Sequence, residues 1–284
     1  MSSGVVGVVG VVGGGRMGAG IAHVFALAGY EVVVTEQSEQ AAEAAAERVV
    51  ANLARALERS VGIDAGAVGS RVRFATGVGS LPADTLLVVE AVPEVASLKH
   101  EVLAAAEAVV GSDCVIASNT SSLSVSGLAE ALTRPERFLG MHFFNPVPIS
   151  ALVEVVRGQR SAPATVERAV GWVHELGKAE IVVADSPGFA TSRLGVLLGL
   201  EAIRMLEEGV ASAQDIDRAM GLGYRHPMGP LRSSDLVGLD VRLAIAEHLA
   251  ETLGPRFEPP KLLREKVSRG ELGRKSGRGF FNWD

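Results

Sequence analysis

The sequence predicts an α/β fold, a doubly wound sheet domain over residues 1–185 followed by an all-helical C-terminal domain over residues 186–284. Three observations carry this prediction. A valine-rich apolar run, Val5 to Val12, breaks into closely spaced glycines and then into helical composition. Strand-like and helical segments alternate from there to Val183, the pattern of a sheet covered by helices on both faces. From Asp185-Ser186-Pro187-Gly188 onward only helical periodicity remains.

The first strand runs into Gly13, Gly15 and Gly18, spaced G-x-G-x-x-G; Arg16 and Met17 lie within that turn, and Met17 to Leu27 has helical composition. Strand, glycine turn and helix amino end together form a pyrophosphate cradle. Gly13 permits the tight turn, Gly15 lets phosphate approach the backbone, and Gly18 lets helix and strand pack closely. The next strand, Glu31 to Thr35, ends at Glu36, about 20 residues beyond Gly15, where a carboxylate accepts hydrogen bonds from adenosine ribose hydroxyls. No Arg or Lys follows Glu36 within ten residues, so a 2′-phosphate would meet an uncompensated carboxylate. The cradle therefore predicts a Rossmann-type domain with NAD as its cofactor.

The remaining elements follow in order. Ser38 caps a helix from Glu39 to Arg59. Strands are expected at Val72–Ala75 and Leu86–Ala91, then a helix from Ser97 to Val110 with Gly111 at its C′ position. Further strands are Cys114–Ser118, Phe138–His142 and Leu152–Val156. Pro163 opens a helix that Gly177 closes, and Ile181–Val183 completes the sheet. The second domain carries helices at Phe189–Glu208, Ser212–Met220, Asp240–Leu253 and Pro260–Arg269, with Ser212 and Asp215 forming a capping box. The helix after Phe189 is apolar nearly all round, more than a small helical domain covers, which predicts a homodimer.

Composition narrows the function. A net charge of -6 without a basic block argues against a nucleic-acid partner. The N-terminal apolar run is too short and too glycine-broken to span a bilayer, so no membrane association is expected. The lone cysteine, Cys114, lies in an apolar strand, suits a reducing cytoplasm and reads as a core residue. No His, Cys, Asp and Glu group has the spacing of a metal site.

Ligands of open α/β sheets bind beyond the carboxyl ends of the strands, and three segments there carry chemistry. These are Ser118-Asn119-Thr120-Ser121-Ser122-Leu123, Gly140-Met141-His142-Phe143-Phe144-Asn145-Pro146-Val147-Pro148, and Leu152-Val153-Glu154-Val155. His142 has the type of side chain that takes a hydroxyl proton near neutral pH, and Glu154 the type that holds an imidazole in one tautomer. The same two residues also read as a structural histidine and as a carboxylate paired with an arginine on an exposed face.

The segments GGGRMGAGIAH, SNTSSLS, GMHFFNPVP, LVEVV, DSPGF, HPMGP and LVGLD, with the ending LGRKSGRGFFNWD, resemble the 3-hydroxyacyl-CoA dehydrogenase family in their order along the whole chain. The similarity is greatest to its short, stand-alone 3-hydroxybutyryl-CoA dehydrogenase type. The resemblance implies an NAD domain, a helical domain that dimerises, and an acyl-CoA held in the cleft between them. It implies that His142 is the general base, Glu154 its orienting carboxylate, and Ser121 a hydrogen-bond partner of the reacting oxygen. Asn119 and Asn145 fall in matching motifs near the nicotinamide and the catalytic pair. Glu94 and Lys99 match positions near the cofactor and also read as solvated charges at a helix entry. Asn52 and Arg59 lie where family members contact CoA. At one place the chain departs from the pattern: Ser192 stands where the family carries an Asn that contacts substrate.

The expected activity is NAD-dependent interconversion of (S)-3-hydroxyacyl-CoA and 3-oxoacyl-CoA on short acyl chains. The departure at Ser192 keeps open the same chemistry on a carrier-protein-bound or other β-hydroxy acid. A non-catalytic nucleotide-binding protein is the remote alternative.

Overall fold

A computed structural model describes residues 7–57 and 64–283. The chain divides into two compact units, Met1–Asp185 and Ser186–Asp284. In the first, β1 (Val8–Val12), α1 (Arg16–Leu27), β2 (Glu31–Glu36) and α2 (Glu39–Leu57) lead through the short α3 (Ala65–Gly69) into β3 (Val72–Thr76). Then come β4 (Leu87–Glu90), α4 (Ala96–Val109), β5 (Val115–Ser118), the short α5 (Val125–Leu128), β6 (Phe138–Phe143), β7 (Leu152–Arg157), α6 (Pro163–Glu175) and β8 (Ala179–Ala184). The eight strands form one sheet in the order β3-β2-β1-β4-β5-β6-β7-β8.

Strands β3 to β6 are all parallel along that order. Parallel neighbours need a crossover, whereas no helix separates β6 from β7, so these two pair antiparallel. Strand β8 then runs parallel to β7. The valine-rich strands of the sheet centre are buried, and Ile21, Phe25, Val49 and Leu53 pack from α1 and α2 into the same core. Burying each such side chain contributes about 1.5–3 kcal/mol. At the sheet margin β8 leaves Ile181 and Val182 exposed.

The local signals acted as their chemistry requires. Ser38 Oγ accepts from Ala41 N, and Ser212 Oγ accepts from Asp215 N at 3.2 Å. Gly177 ends α6 with φ +67, a left-handed turn suited to glycine. Gly111 plays a different part from the one expected. It has no positive φ, and a Cβ there would lie 2.9 Å from the Ala83 carbonyl oxygen, so close backbone approach requires the glycine.

The second unit contains α7 (Thr191–Glu207), α8 (Ala213–Gly223), α9 (Pro230–Val237), α10 (Leu239–Leu253) and α11 (Lys261–Ser268). Helix α7 starts two residues later than expected because Phe189 adopts φ +48, which no α-helix accommodates. Helix α9 was not anticipated, although Pro230 at its first turn is a start signal. Val196, Leu200, Ile203, Leu231, Leu239, Leu249, Phe257 and Leu263 form this unit's core. Leu194, Leu197 and Leu198 of α7 remain exposed, Leu194 by 67%. Among the described residues no helix is long and apolar enough to cross a membrane, and no cluster could hold a metal ion.

Candidate active site

The glycine turn between β1 and α1 has the shape of a dinucleotide cradle. Gly13 takes φ +94, and a Cβ on Gly18 would fall 1.8 Å from the Gly13 carbonyl oxygen, so strand and helix meet backbone to backbone. A Cβ on Gly15 would meet no protein atom within 4 Å. That open space lies at the amino end of α1, where the first N–H groups have no carbonyl partner within the helix and attract phosphate. Gly13, Gly15, Arg16, Met17 and Glu36 line one cavity of about 570 Å³, together with Thr35, Val92 and Leu98. Gly14 N donates to Glu36 Oε1 at 2.6 Å, which anchors the carboxylate at the end of β2 with its other oxygen available. These residues fit NAD: an anion cradle at one end, and a carboxylate for a ribose diol at the other.

The cavity also contains a cation that the sequence spacing concealed. Arg48, on α2 just past the ten residues that follow Glu36, lines the same cavity and donates to the Gly14 carbonyl at 3.2 Å. A like-charge meeting of Glu36 and a 2′-phosphate costs several kcal/mol, so NAD is expected to exceed NADP in kcat/KM by about 10²-fold or more. With Arg48 in place, Glu36→Ala is expected to narrow that ratio at least tenfold. Equal kcat/KM for both cofactors in the unmodified enzyme would refute the role of Glu36.

Beyond the glycine turn, the ends of β4 and β5 are tied together by buried charge. Glu90, at the end of β4, accepts from Lys99 Nζ at 2.6 Å, from Val92 N at 2.7 Å and from Ser118 Oγ at 2.5 Å. Lys99 and Glu90 are both buried, and Lys99 also reaches Glu94 at 3.2 Å. Glu94 Oε1 accepts from Thr120 Oγ1 and from the backbone of Ser121 and Ser122. Burial, the largest influence, pushes the Glu94 carboxyl up. The Thr120 hydroxyl, Lys99 and the Ser122 and Ser121 amides outweigh it and hold it at about 2. Glu94 and Lys99 are thus parts of one network rather than loose helix-entry charges. The network shapes the turn that carries Ser121. Asn119 joins it to β6, for its Oδ1 accepts from Phe143 N at 2.9 Å.

His142 and Glu154 face each other across the antiparallel pair β6–β7, in register. His142 Nδ1 donates to Glu154 Oε2 at 2.7 Å; the imidazole is 6% exposed and the carboxylate 0%. An ionised carboxylate only accepts, which assigns the proton to Nδ1 and makes Nε2 the proton-accepting nitrogen. The Phe144 ring lies 4.5 Å from the imidazole, centroid to centroid. This pairing excludes the reading of Glu154 as a surface carboxylate paired with an arginine.

Other expected residues are placed as follows. Asn145 is exposed just after β6, joined to Pro146 by a cis peptide bond. Asn52 sits on α2 and, with Arg16 and Arg48, lines a second cavity of about 270 Å³. Arg59 lies outside the described residues. Ser192 occupies the first turn of α7 in the second unit. Cys114 is buried, and burial pushes its thiol up to about 12, as for an inert core residue. Sequence reasoning missed Glu90 and Arg48, and it placed Ser118 and Thr120 in a candidate segment without giving either a role. For Glu90 a signal existed, a carboxylate inside an apolar strand, the same signal that marked Glu154.

Comparison with known proteins accords with this geometry. The description "3-hydroxyacyl-CoA dehydrogenase, NAD binding domain" matches residues 8–186, and "3-hydroxyacyl-CoA dehydrogenase, C-terminal domain" matches residues 188–283. A "3-hydroxybutyryl-CoA dehydrogenase" of Mycobacterium tuberculosis is 44% identical over 288 residues, covering 97% of this chain and 98% of that protein. The "Hydroxyacyl-coenzyme A dehydrogenase, mitochondrial" of Sus scrofa is 37% identical, covering 96% of this chain and 90% of that one. The crystal structure of an (S)-3-hydroxybutyryl-CoA dehydrogenase from Ralstonia eutropha superposes with a TM-score of 0.92 at 40% identity, over 98% of this chain and 99% of that one. By its two matched domains and by its near full-length relatives, this chain belongs to the 3-hydroxyacyl-CoA dehydrogenase family.

Proposed function

We propose that the protein interconverts (S)-3-hydroxyacyl-CoA and 3-oxoacyl-CoA with NAD, on short acyl chains such as that of 3-hydroxybutyryl-CoA and acetoacetyl-CoA. The observation that carries this reading is the buried His142–Glu154 pair at the strand ends. His142 Nε2 takes the proton of the substrate hydroxyl in the oxidative direction. Glu154 stabilises the imidazolium that forms and keeps the ring oriented. The Ser121 hydroxyl donates to the reacting oxygen as its charge changes; Asn145 in the first unit and Ser192 in the second are the further polar residues assigned to substrate. Bound NAD supplies the hydride acceptor for C3. Gly13, Gly15, Arg16, Met17 and Gly18 hold its pyrophosphate, Glu36 its ribose, and Glu94, Lys99 and Asn119 shape its nicotinamide end. Asn52 and Arg59 serve the CoA moiety.

Oxidation of NADH with acetoacetyl-CoA tests the reading directly. Turnover at 1–10³ s⁻¹, the ordinary range for enzymes, is expected, and no acetoacetyl-CoA-dependent oxidation would refute it.

In this reading the first unit binds NAD and the second binds substrate and dimerises. The exposed Leu194, Leu197 and Leu198 support a homodimer, since a second copy would remove them from water. Light scattering at micromolar concentration is expected to give twice the chain mass; a fully active monomer would refute the dimer. A reducing compartment, the cytoplasm, accords with the single buried cysteine.

A further inference from the structure

Asp185, the last residue of the first unit, follows β8, and its own N–H donates to the Arg157 carbonyl at 2.9 Å. Its carboxylate reaches the start of α5. Oδ2 accepts from the Ser124 hydroxyl at 2.8 Å and from Ser126 N at 2.7 Å, and Oδ1 accepts from Val125 N at 3.1 Å. The Ser124 oxygen in turn accepts from Gly127 N at 3.1 Å, and Ser126 Oγ accepts from Gln159 N at 3.0 Å. The first N–H groups of a helix have no carbonyl partner within it, so one carboxylate that answers two of them fixes where the helix begins.

The residues just before α5 form the turn that carries Ser121. Glu94 holds the middle of that turn through the Thr120 hydroxyl, Ser121 N and Ser122 N, and the Ser122 hydroxyl also donates to it at 3.0 Å. Thr120 N donates to Ser118 Oγ at 3.2 Å, and Leu123 N donates to Thr120 Oγ1 at 3.0 Å. The turn is therefore fastened twice, at its middle by Glu94 and at its exit by Asp185. The hydroxyls of Thr120, Ser122 and Ser124 are all committed within the protein. That of Ser121, a half-buried residue, makes no hydrogen bond among the described residues. The turn is tied down on the protein side while its Ser121 hydroxyl stays available to a ligand.

We infer that Asp185 is a positioning residue for the Ser121 hydroxyl, fixing the exit of the turn so that Ser121 meets the reacting oxygen at a set point. The inference rests on the proposed function, in which Ser121 donates to that oxygen. Asp185 acts through the Ser124 hydroxyl and the amides of Val125 and Ser126, not by touching substrate. Such fastening matters because a misplacement of about 1 Å can cost about 10²-fold in rate. An asparagine at 185 would not replace the carboxylate. It accepts through one oxygen only, and its NH2 would confront a donor that Asp185 now receives.

The test is a double-variant cycle on NADH oxidation with acetoacetyl-CoA, with NADH affinity read by titration. Asp185→Asn is expected to lower kcat by about 10- to 100-fold, while KM for acetoacetyl-CoA and the affinity for NADH hold within about threefold, as for an interaction realised in the transition state. In a Ser121→Ala background no hydroxyl remains to be placed, and Asp185→Asn is expected to lower kcat further by no more than about threefold. Should Asp185→Asn fail to fold, Ser124→Ala removes one of the donors to Asp185 and is expected to show a smaller loss of kcat with the same dependence on Ser121. Equal fold-losses in both backgrounds overturn the inference, assigning Asp185 to the fold alone. Unchanged kcat in a folded variant at 185 or 124, or in Ser121→Ala, also overturns it, as does NADH affinity falling in step with kcat. Each of these results in an active enzyme leaves the dehydrogenase reading standing. No acetoacetyl-CoA-dependent turnover in the unmodified enzyme refutes that reading, and the inference with it.

Discussion

Replacing His142 with Gln is expected to lower kcat by roughly 10² to 10⁴, the usual contribution of general acid-base catalysis. Glutamine keeps a polar side chain of similar reach but cannot take a proton at neutral pH. Its NAD affinity, measured by titration, is expected to stay within a few-fold, because His142 lines no part of the glycine cradle. Glu154→Gln acts on the same unit from the other side. The amide removes the charge that supports the imidazolium, and it can present N–H to Nδ1, favouring the wrong tautomer. The double variant is expected to lose little more than either single one, since groups acting together are not additive. Near-normal kcat in either single variant would refute the pair.

The second large effect concerns Gly18. An added methyl would stand 1.8 Å from the Gly13 carbonyl, a backbone atom that cannot turn aside as a side chain can. Gly18→Ala is expected to weaken NAD binding at least tenfold and to destabilise the fold by about 1–3 kcal/mol, the range for overpacking. A fall of several degrees in Tm follows, at about 2–4 °C per kcal/mol for a domain of this size. Gly15→Ala provides the contrast. Its Cβ would enter open space and its φ of -61° suits alanine, so Tm is expected to hold while NAD binding falls. Calorimetry on both variants reads the difference. A Tm loss in Gly15→Ala matching that of Gly18→Ala would refute the division of labour between the two glycines.

Short-range chemistry was legible in the chain. The β-branched run before Gly13, the caps at Ser38 and Ser212 and the stop at Gly177 act within a few residues, so reading them required no tertiary context. Helices α3 and α5 escaped because elements of four or five residues carry too little periodicity to register, and α9 was passed over although Pro230 marks its start. The apparent late start of α7 depended on one φ value at Phe189, which composition does not encode.

Site residues divide along the same line. His142 and Glu154 were each recognisable as chemical types, as was Glu36 at the end of its strand. That His142 and Glu154 meet is a matter of register between antiparallel strands, where a slip of one residue would turn them to opposite faces. Arg48 is remote from Glu36 along the chain yet shares its cavity, because α2 folds back over β2. Glu90, Lys99 and Ser118 are brought together by three separate elements.

The sequence by itself determined the order of the strands and of most helices, the glycine cradle with its acidic partner, and the residue types able to move a proton. Those properties reside in single residues and their near neighbours. Only the tertiary structure decided which charges answer one another, because the strength of a buried charge pair depends on distance and on the exclusion of water, and both are set by packing between segments far apart in the chain.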